Sequence, residues 1–153
     1  MKIFFWQKSK QFFSKEEIAL LTEAIRDAEI QTSGELRVFV ESNCSYVNAL
    51  DRAMEIFYSL KMEKTELRNG VLVYLATKDH QVAVFGDEGI HQKVGEKFWN
   101  EEVKSMLHSF NNENFVEGLR KCIGDIGTAL HTHFPYNNEI DKNELPDEII
   151  FGR

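Results

Sequence analysis

The sequence predicts an α/β domain in which helices cover both faces of a small mixed β-sheet, a three-layer α/β/α sandwich. Helical and strand periodicities alternate along the chain, one continuous apolar run has strand length, and a short polar connection joins two strand patterns. The length of 153 residues suits one domain. We expect that domain at residues 14–136, after an aromatic and basic segment at 1–13 and before an acidic tail at 137–153.

The first predicted elements are a helix and a strand. Ser14 and Glu17 have the spacing of a capping box, so a helix begins after Ser14. It ends near Thr32-Ser33-Gly34, where glycine favours a turn. Residues 36–41 then alternate apolar and polar side chains, the period of a strand, with Arg37 on its less buried face.

A second helix and two more strands follow. Residues 46–60 carry apolar side chains at helical spacing, and a helix there can cross over between parallel strands. Residues 71–76 are continuously apolar, which is typical of a strand buried on both faces. The polar residues 77–80 connect this strand to another at 82–85, so the two form an antiparallel hairpin.

The last third of the domain is helical. Residues 90–110 have helical spacing with an offset near Trp99, which fits one bent helix or two short ones. A final helix ends before Pro135. It contains three glycines, Gly118, Gly124 and Gly127. We expect these to pack closely against another backbone, offsetting their low helix propensity. The apolar Ile149-Ile150-Phe151 in the tail can dock or stay in solvent, and the sequence leaves both open.

Composition excludes several classes of protein. The 25 acidic and 18 basic side chains give a formal net charge of −7, which argues against a general nucleic-acid binder. No apolar run approaches the roughly 18 residues that span a bilayer, and the first residues lack a secretory apolar region. Cys44 and Cys122 form no disulfide or zinc-binding pattern. We therefore expect a cytoplasmic protein that does not insert into membranes.

Familiar catalytic motifs are missing from the sequence, so strand direction is the guide to a site. The starts of two parallel strands lie at the same sheet edge as the end of an antiparallel third strand. Residues 33–35, 68–70 and 86–89 should therefore meet. They offer three carboxylates and one amide, from Glu35, Asp87, Glu88 and Asn69. Such oxygens suit calcium, and Arg68 can balance their charge or hold an anion.

Other interpretations stay open at this stage. Asp87 or Glu88 can cap a helix, and Asn69-Gly70 can be only a turn. Glu88 and His91 can bind a transition metal. The opposite edge of the sheet is a rival, because open α/β sheets usually bind ligands at the carboxyl ends of parallel strands. That edge would be lined by Glu41, Asn43, Asp79 and His80. His131-Thr132-His133 is a third candidate.

Three ordered motifs in this chain resemble those of the TPM domain family, named for a thylakoid lumen protein, a photosystem II subunit and a levamisole-receptor modulator. They are Ser33-Gly34-Glu35-Leu36-Arg37-Val38, Arg68-Asn69-Gly70-Val71-Leu72-Val73-Tyr74 and Gly86-Asp87-Glu88-Gly89. The resemblance spans residues 12–134. It implies an α/β/α sandwich, a divalent-cation site usually described with calcium, and the acid phosphatase activity of the thylakoid member. The site residues it implies are Glu35, Asn69, Asp87 and Glu88.

The leading hypothesis is a cytoplasmic TPM-type domain that binds a divalent cation, calcium first, at these acidic loops. A metal-dependent acid phosphatase is the second hypothesis, with Arg68 stabilising the phosphoryl charge, although the sequence identifies no nucleophile. The third is a protein-interaction module that recruits an unknown partner through Phe4-Phe5-Trp6 or the tail.

Overall fold

The computed structural model describes residues 12–112, 114–136 and 149–152. Within these ranges helices and strands follow in the order α1, β1, α2, β2, β3, α3, α4 and β4. Their bounds are Lys15–Glu29 (α1), Glu35–Glu41 (β1), Ala49–Ser59 (α2), Gly70–Ala76 (β2), Gln81–Gly86 (β3), Glu88–Asn111 (α3), Phe115–His133 (α4) and Ile149–Phe151 (β4). The predicted α/β class is confirmed. The aromatic Phe4-Phe5-Trp6 lies outside the described residues.

The strands form one mixed sheet in the order β3-β2-β1-β4. β1 pairs with β2 in parallel, starting at Glu35 opposite Gly70, and α2 makes the crossover between them. β2 and β3 form an antiparallel hairpin in which Val71 is opposite Gly86. Both pairings agree with the predictions made from residue periodicity.

The fourth strand comes from the end of the predicted tail. β4 lies parallel to β1, with Val38 opposite Ile149 and Val40 opposite Phe151. Ile149 and Phe151 are buried in the main core. The structure therefore answers what the sequence left open, because the apolar end of the tail docks onto the sheet.

β2 separates two hydrophobic cores. Its side chains on one face are Val71, Val73 and Leu75, which join the core under α1, α3 and α4. On the other face they are Leu72, Tyr74 and Ala76, which pack in the core under α2. Helices thus cover both faces of the sheet. As predicted, Arg37 lies on the less buried face of β1: Phe39 on that face is partly exposed, whereas Leu36, Val38 and Val40 on the other face are fully buried. Arg37 itself is buried, because helices cover both faces of the sheet.

A local hydrogen-bond motif begins α1, and a long-range contact follows its end. The Ser14 hydroxyl oxygen accepts from the Glu17 N–H at 3.0 Å, and the Glu17 carboxylate accepts from the Ser14 N–H at 2.8 Å. This is the predicted capping box. The helix ends at Glu29, before the predicted turn, and Thr32 then forms a β-bridge with Pro135.

α3 is bent, as the offset in its apolar pattern predicted. Gly95 has φ 79° and ψ 167°, a left-handed conformation that favours glycine and interrupts the helix. The bend lies four residues before Trp99, which is buried against the sheet. Neither α3 nor any other described helix has the length and apolar character needed to cross a membrane.

The glycines of α4 behave differently from one another. A Cβ atom on Gly127 would lie 2.7 Å from the Ala28 Cβ and 3.0 Å from its Cα, so this glycine allows α1 to approach closely. Gly118 similarly faces Ser109. For Gly124 the expectation of close packing is wrong: a Cβ atom there would meet no neighbouring element of the described chain within 4 Å.

The contrast between these glycines gives a matched test. Gly127→Ala should lower the free energy of unfolding by roughly 1–3 kcal/mol, because the new methyl group overpacks against Ala28. Gly124→Ala should instead raise it by up to about 1 kcal/mol through helix propensity alone. Urea denaturation of both variants measures the difference. Equal effects of the two substitutions would contradict the close packing of α4 on α1 at Gly127.

Candidate functional site

Three turns meet at the edge where β1 and β2 begin. The Glu35 N–H donates to the Asn69 main-chain oxygen at 3.3 Å, which joins the first two turns. The Asp87 N–H donates to the Gly70 oxygen at 2.9 Å, which joins the second turn to the third. The segments that strand direction placed together are therefore neighbours in space.

The start of α3 lies directly against the turn before β2. A Cβ atom on Gly89 would be 2.2 Å from the Leu67 main-chain oxygen, and the Gly89 N–H donates to the Arg68 oxygen at 2.8 Å. Arg68 itself has φ 52°, in the left-handed region. This close approach holds the Arg68 side chain beside the amino-terminal turn of α3.

Asp87 and Arg68 form a bidentate ion pair. The Arg68 Nε donates to Asp87 Oδ2 at 2.7 Å, and its Nη2 donates to Oδ1 at 2.9 Å. Asp87 is only 1% exposed, and its Oδ1 also accepts from the Glu88 N–H at 2.8 Å. The helix-capping role considered for Asp87 is thus confirmed. The hydrogen bond to Asp87 raises the pKa of the Arg68 guanidinium above its usual value.

The other predicted carboxylates differ in exposure. Glu88 is largely exposed, and its Oε1 lies 3.4 Å from Arg68 Nη1. Glu35 is buried at the start of β1, opposite Gly70. Arg68 therefore contacts two acidic side chains at this edge of the sheet, the buried Asp87 and the exposed Glu88.

In the part of the chain that the structure describes, the buried side-chain amide of Asn69 has a hydrogen-bond partner for its nitrogen but not for its oxygen. Its Nδ2 donates to the Ser33 hydroxyl oxygen at 3.3 Å, whereas its Oδ1 has no hydrogen-bond partner among the described residues. The residue is 1% exposed. Buried polar atoms are nearly always paired, so an orphaned carbonyl oxygen indicates a place for a water molecule or a cation.

The kinds of ligand atom at this edge limit the kinds of metal ion that it could hold. Within the described ranges, no group of three or more His, Cys, Asp or Glu side chains is arranged to hold a metal ion. The oxygens are instead mixed, comprising the Asn69 amide, the carboxylates beside Arg68 and main-chain carbonyls. This mixture fits a hard cation such as calcium better than a transition metal.

The opposite edge contains a second ion pair between a partly exposed arginine and a buried carboxylate. Arg52 donates to Glu41 from Nε at 2.9 Å and from Nη2 at 3.0 Å, and the Tyr74 hydroxyl donates to the same carboxylate. Burial and then the Glu41 hydrogen bond raise the pKa of Tyr74. Glu41, a candidate ligand from the sequence, is therefore satisfied by protein groups.

The remaining residues of that rival edge are also paired. The Asp79 carboxylate accepts from the Cys44 N–H at 2.7 Å and from the Asn43 amide at 3.0 Å. These bonds, the Cys44 one first, lower the pKa of Asp79. The His80 ring is stacked on Phe110, with 4.9 Å between ring centroids.

Of the remaining histidine candidates, His91 and His131 have structural partners, whereas His133 is exposed. His91 Nδ1 accepts from the Trp99 indole N–H at 3.0 Å, while Glu88 faces Arg68. The pair Glu88 and His91 is thus engaged in separate contacts. His131 donates from Nδ1 to the Gln31 main-chain oxygen at 2.8 Å, which joins α4 to the end of α1.

Sequence reasoning missed a buried acid between α3 and α4. Glu102 is 8% exposed, and burial followed by a hydrogen bond with Asp125 raises its pKa to about 7. It also faces Cys122, whose thiol pKa is raised by burial and then by Glu102. The signal that could have found it was spacing, because Glu102 lies on the same helical stripe as Trp99 and Met106.

The fold and this edge define a small α/β domain whose polar turns gather where its parallel strands begin. A family model described as the TPM domain matches residues 7–129. The chain belongs to the TPM domain family, which confirms the resemblance seen in its three motifs.

Solved structures of similar fold support this assignment. The BA42 protein of the psychrophilic bacterium Bizionia argentinensis is 41% identical, with a TM-score of 0.82 over 92% of this chain and 96% of that one. The N-terminal domain of the Corynebacterium glutamicum protein cg2496 is 10% identical, with a TM-score of 0.62 over 99% and 95%. An N-terminal domain from P. gingivalis is 14% identical, with a TM-score of 0.63 over 90% and 100%. The last two show the fold alone. No curated protein matches the sequence.

The raised pKa of Glu102 predicts how stability changes with pH. The folded protein keeps this proton up to about pH 7, whereas the unfolded chain releases it near 4.5. Stability should therefore fall as pH rises through that window, by up to roughly 3 kcal/mol. Urea denaturation across the window should show a smaller fall for Glu102→Gln. The exposed neighbour Glu101 is the control, and an identical effect of Glu101→Gln would contradict the assignment.

Proposed function

We propose that this domain binds a divalent cation, calcium in preference to a transition metal, at the edge where β1 and β2 begin. The observation that supports the proposal is the buried Asn69 Oδ1, which has no donor among the described residues. Calcium accepts amide, hydroxyl, carbonyl and carboxylate oxygens in an adaptable geometry. A cation there would give this amide oxygen a partner.

Four side chains would hold the cation. They are Asn69, Asp87, Glu88 and Glu35. Asn69 contributes the orphaned oxygen, and its orientation is held by the hydrogen bond to Ser33. The exposed Glu88 can reorient at little cost, because its contact with Arg68 is long and open to solvent. The positive charge of the cation would offset the negative charge of these carboxylates.

Arg68 would compete with the cation for the carboxylate of Asp87. Both Asp87 oxygens are occupied by its guanidinium, so a cation that takes Asp87 must displace Arg68. The Arg68 side chain is 36% exposed and has solvent to move into. This exchange predicts modest affinity, because the attraction between cation and Asp87 is offset by the lost ion pair.

Metal-dependent hydrolysis of a phosphate ester is a second candidate, and the exchange at Arg68 favours it. An arginine released beside a bound cation could hold a phosphoryl group. Catalysis also needs a nucleophile held by an orienting base. The Ser33 hydroxyl at this edge instead accepts from Asn69. Cation binding therefore ranks above hydrolysis.

We also propose a cytoplasmic location, supported by the free thiols of Cys44 and Cys122. The protein-interaction alternative, in the form the sequence suggested, rests on Phe4-Phe5-Trp6 and on the tail at 137–153, whose described part, 149–152, contains the docked strand β4. Phe4-Phe5-Trp6 and residues 137–148 lie outside the described residues.

Substitution of Asn69 tests the site directly. Calorimetric titration of metal-stripped protein should show calcium binding that Asn69→Leu weakens by roughly tenfold or more, because one oxygen ligand is lost at similar volume. Asp79→Asn, on the opposite edge, should bind like the wild type. Binding by Asn69→Leu with unchanged affinity would overturn the proposal, as would absence of calcium binding to the wild type.

Arg68→Met tests the exchange. The metal-free variant should have a lower Tm than the wild type, because it leaves the Asp87 carboxylate buried and unpaired. Calcium should then raise the Tm of this variant by more than it raises that of the wild type. Arg52→Met breaks the corresponding pair with Glu41 and serves as the control. Equal calcium-induced shifts in both variants would contradict the competition.

A further inference from the structure

A groove runs along the outer side of β3, the strand at one end of the sheet order. Its volume is about 710 Å³, within the range of ligand-binding pockets. α2 and α3 form its two walls. Apolar side chains line both, namely Ala49, Leu50 and Tyr58 on one side and Trp99 and Val103 on the other.

The floor of the groove is a row of main-chain groups. Because the Asp87 N–H bonds to Gly70, alternation along the antiparallel ladder directs the main-chain groups of Phe85 and Ala83 toward β2. Those facing outward belong to Val82, Val84 and Gly86. Within the described residues these outward N–H and C=O groups have no hydrogen-bond partner.

The sequence of β3 contains none of the residues that usually discourage strand pairing at a sheet edge. β3 reads Gln-Val-Ala-Val-Phe-Gly, without charge, proline or bulge. It is nevertheless recessed, since Val82 is 6% and Val84 is 3% exposed. Two recessed edges cannot meet, so the β3 strand of a second copy does not fit. The groove volume of about 710 Å³ between the two helices is of the size that a single short segment would need.

The charge at the groove is acidic where it opens to solvent. Glu88 and Glu96 are exposed, and the described lining residues include no lysine. The one lining arginine, Arg68, is engaged by Asp87. A ligand with basic residues therefore complements this surface.

We propose that the groove binds an extended peptide segment of a partner protein, which adds as a strand beside β3. Its main chain would pair with Val82, Val84 and Gly86. Alternate apolar side chains would pack against the two walls, and a lysine or arginine would lie near Glu88 and Glu96. The proposal does not depend on cation binding.

Titration of the full ¹⁵N-labelled chain with synthetic peptides tests this in calcium-free buffer. The probes are seven-residue, end-blocked peptides with lysine at both ends and alternating Val, Ile, Thr, Leu, Phe or Tyr between. One matched set carries glutamate in place of lysine. Another is N-methylated at alternate residues, which removes main-chain donors and leaves the side chains unchanged.

Lysine peptides should shift the amide resonances of Val82, Val84 and Gly86 saturably. N-methylation should weaken binding by at least about tenfold through lost hydrogen bonds. Glu96→Gln should weaken binding of the lysine peptides by roughly two- to fivefold, the range of one exposed ion pair, and should not weaken the glutamate set. Glu96 lies outside the proposed cation site, so this result is separate from that proposal.

Several results would overturn the peptide proposal. These are no saturable shift with any lysine peptide, shifts centred away from β3, and equal binding of N-methylated peptides. Concentration-dependent shifts of the β3 amides without peptide would also do so, because they would show that a second copy occupies the groove.

Discussion

The parallel pairing of β1 with β2 is the constraint on which the rest of the structure depends. With Glu35 opposite Gly70, both strands begin at one edge, and the hairpin returns β3 to that same edge. The polar turns that precede β1 and β2 therefore lie beside the turn where α3 begins. A shift of one residue along this ladder would turn the side chains of β1 to the opposite core and separate the turns.

Much of the fold could be predicted because local patterns and tertiary packing agree. The capping box at Ser14 is enough to predict the start of α1, and the continuous apolar run at 71–76 is enough to predict the buried strand β2. β4 could not be predicted, because three residues contain no periodicity and its pairing with β1 spans most of the chain. Alternation along β1 indicated its less buried face but not how deeply Arg37 is buried there, because that depends on the elements that cover the sheet.

The candidate site was predictable in its location but not in its internal contacts. The predicted strand directions were enough to place the turns of Asn69 and Asp87 side by side, because the topology of the sheet determines which turns meet. The bidentate bond from Arg68 to Asp87 could not be predicted, because no residue pattern indicates the left-handed backbone of Arg68 or the direction of its side chain. The Arg52 and Glu41 pair at the other edge arises in the same way from side chains that only the folded chain brings together. Among the described residues, Arg68 thus pairs with the buried Asp87 at one edge of the sheet and Arg52 pairs with the buried Glu41 at the other.

The bend at Gly95 divides α3 into two segments that are held by different neighbours. The helical hydrogen-bond ladder is interrupted there, and the bond from the Trp99 indole to His91 joins the segments on either side. The first segment is anchored by Asp87 to the turns, and the second by Glu102 to α4. The hydrogen bond between Trp99 and His91 thus fastens two separately anchored segments to each other across a break in the main-chain ladder.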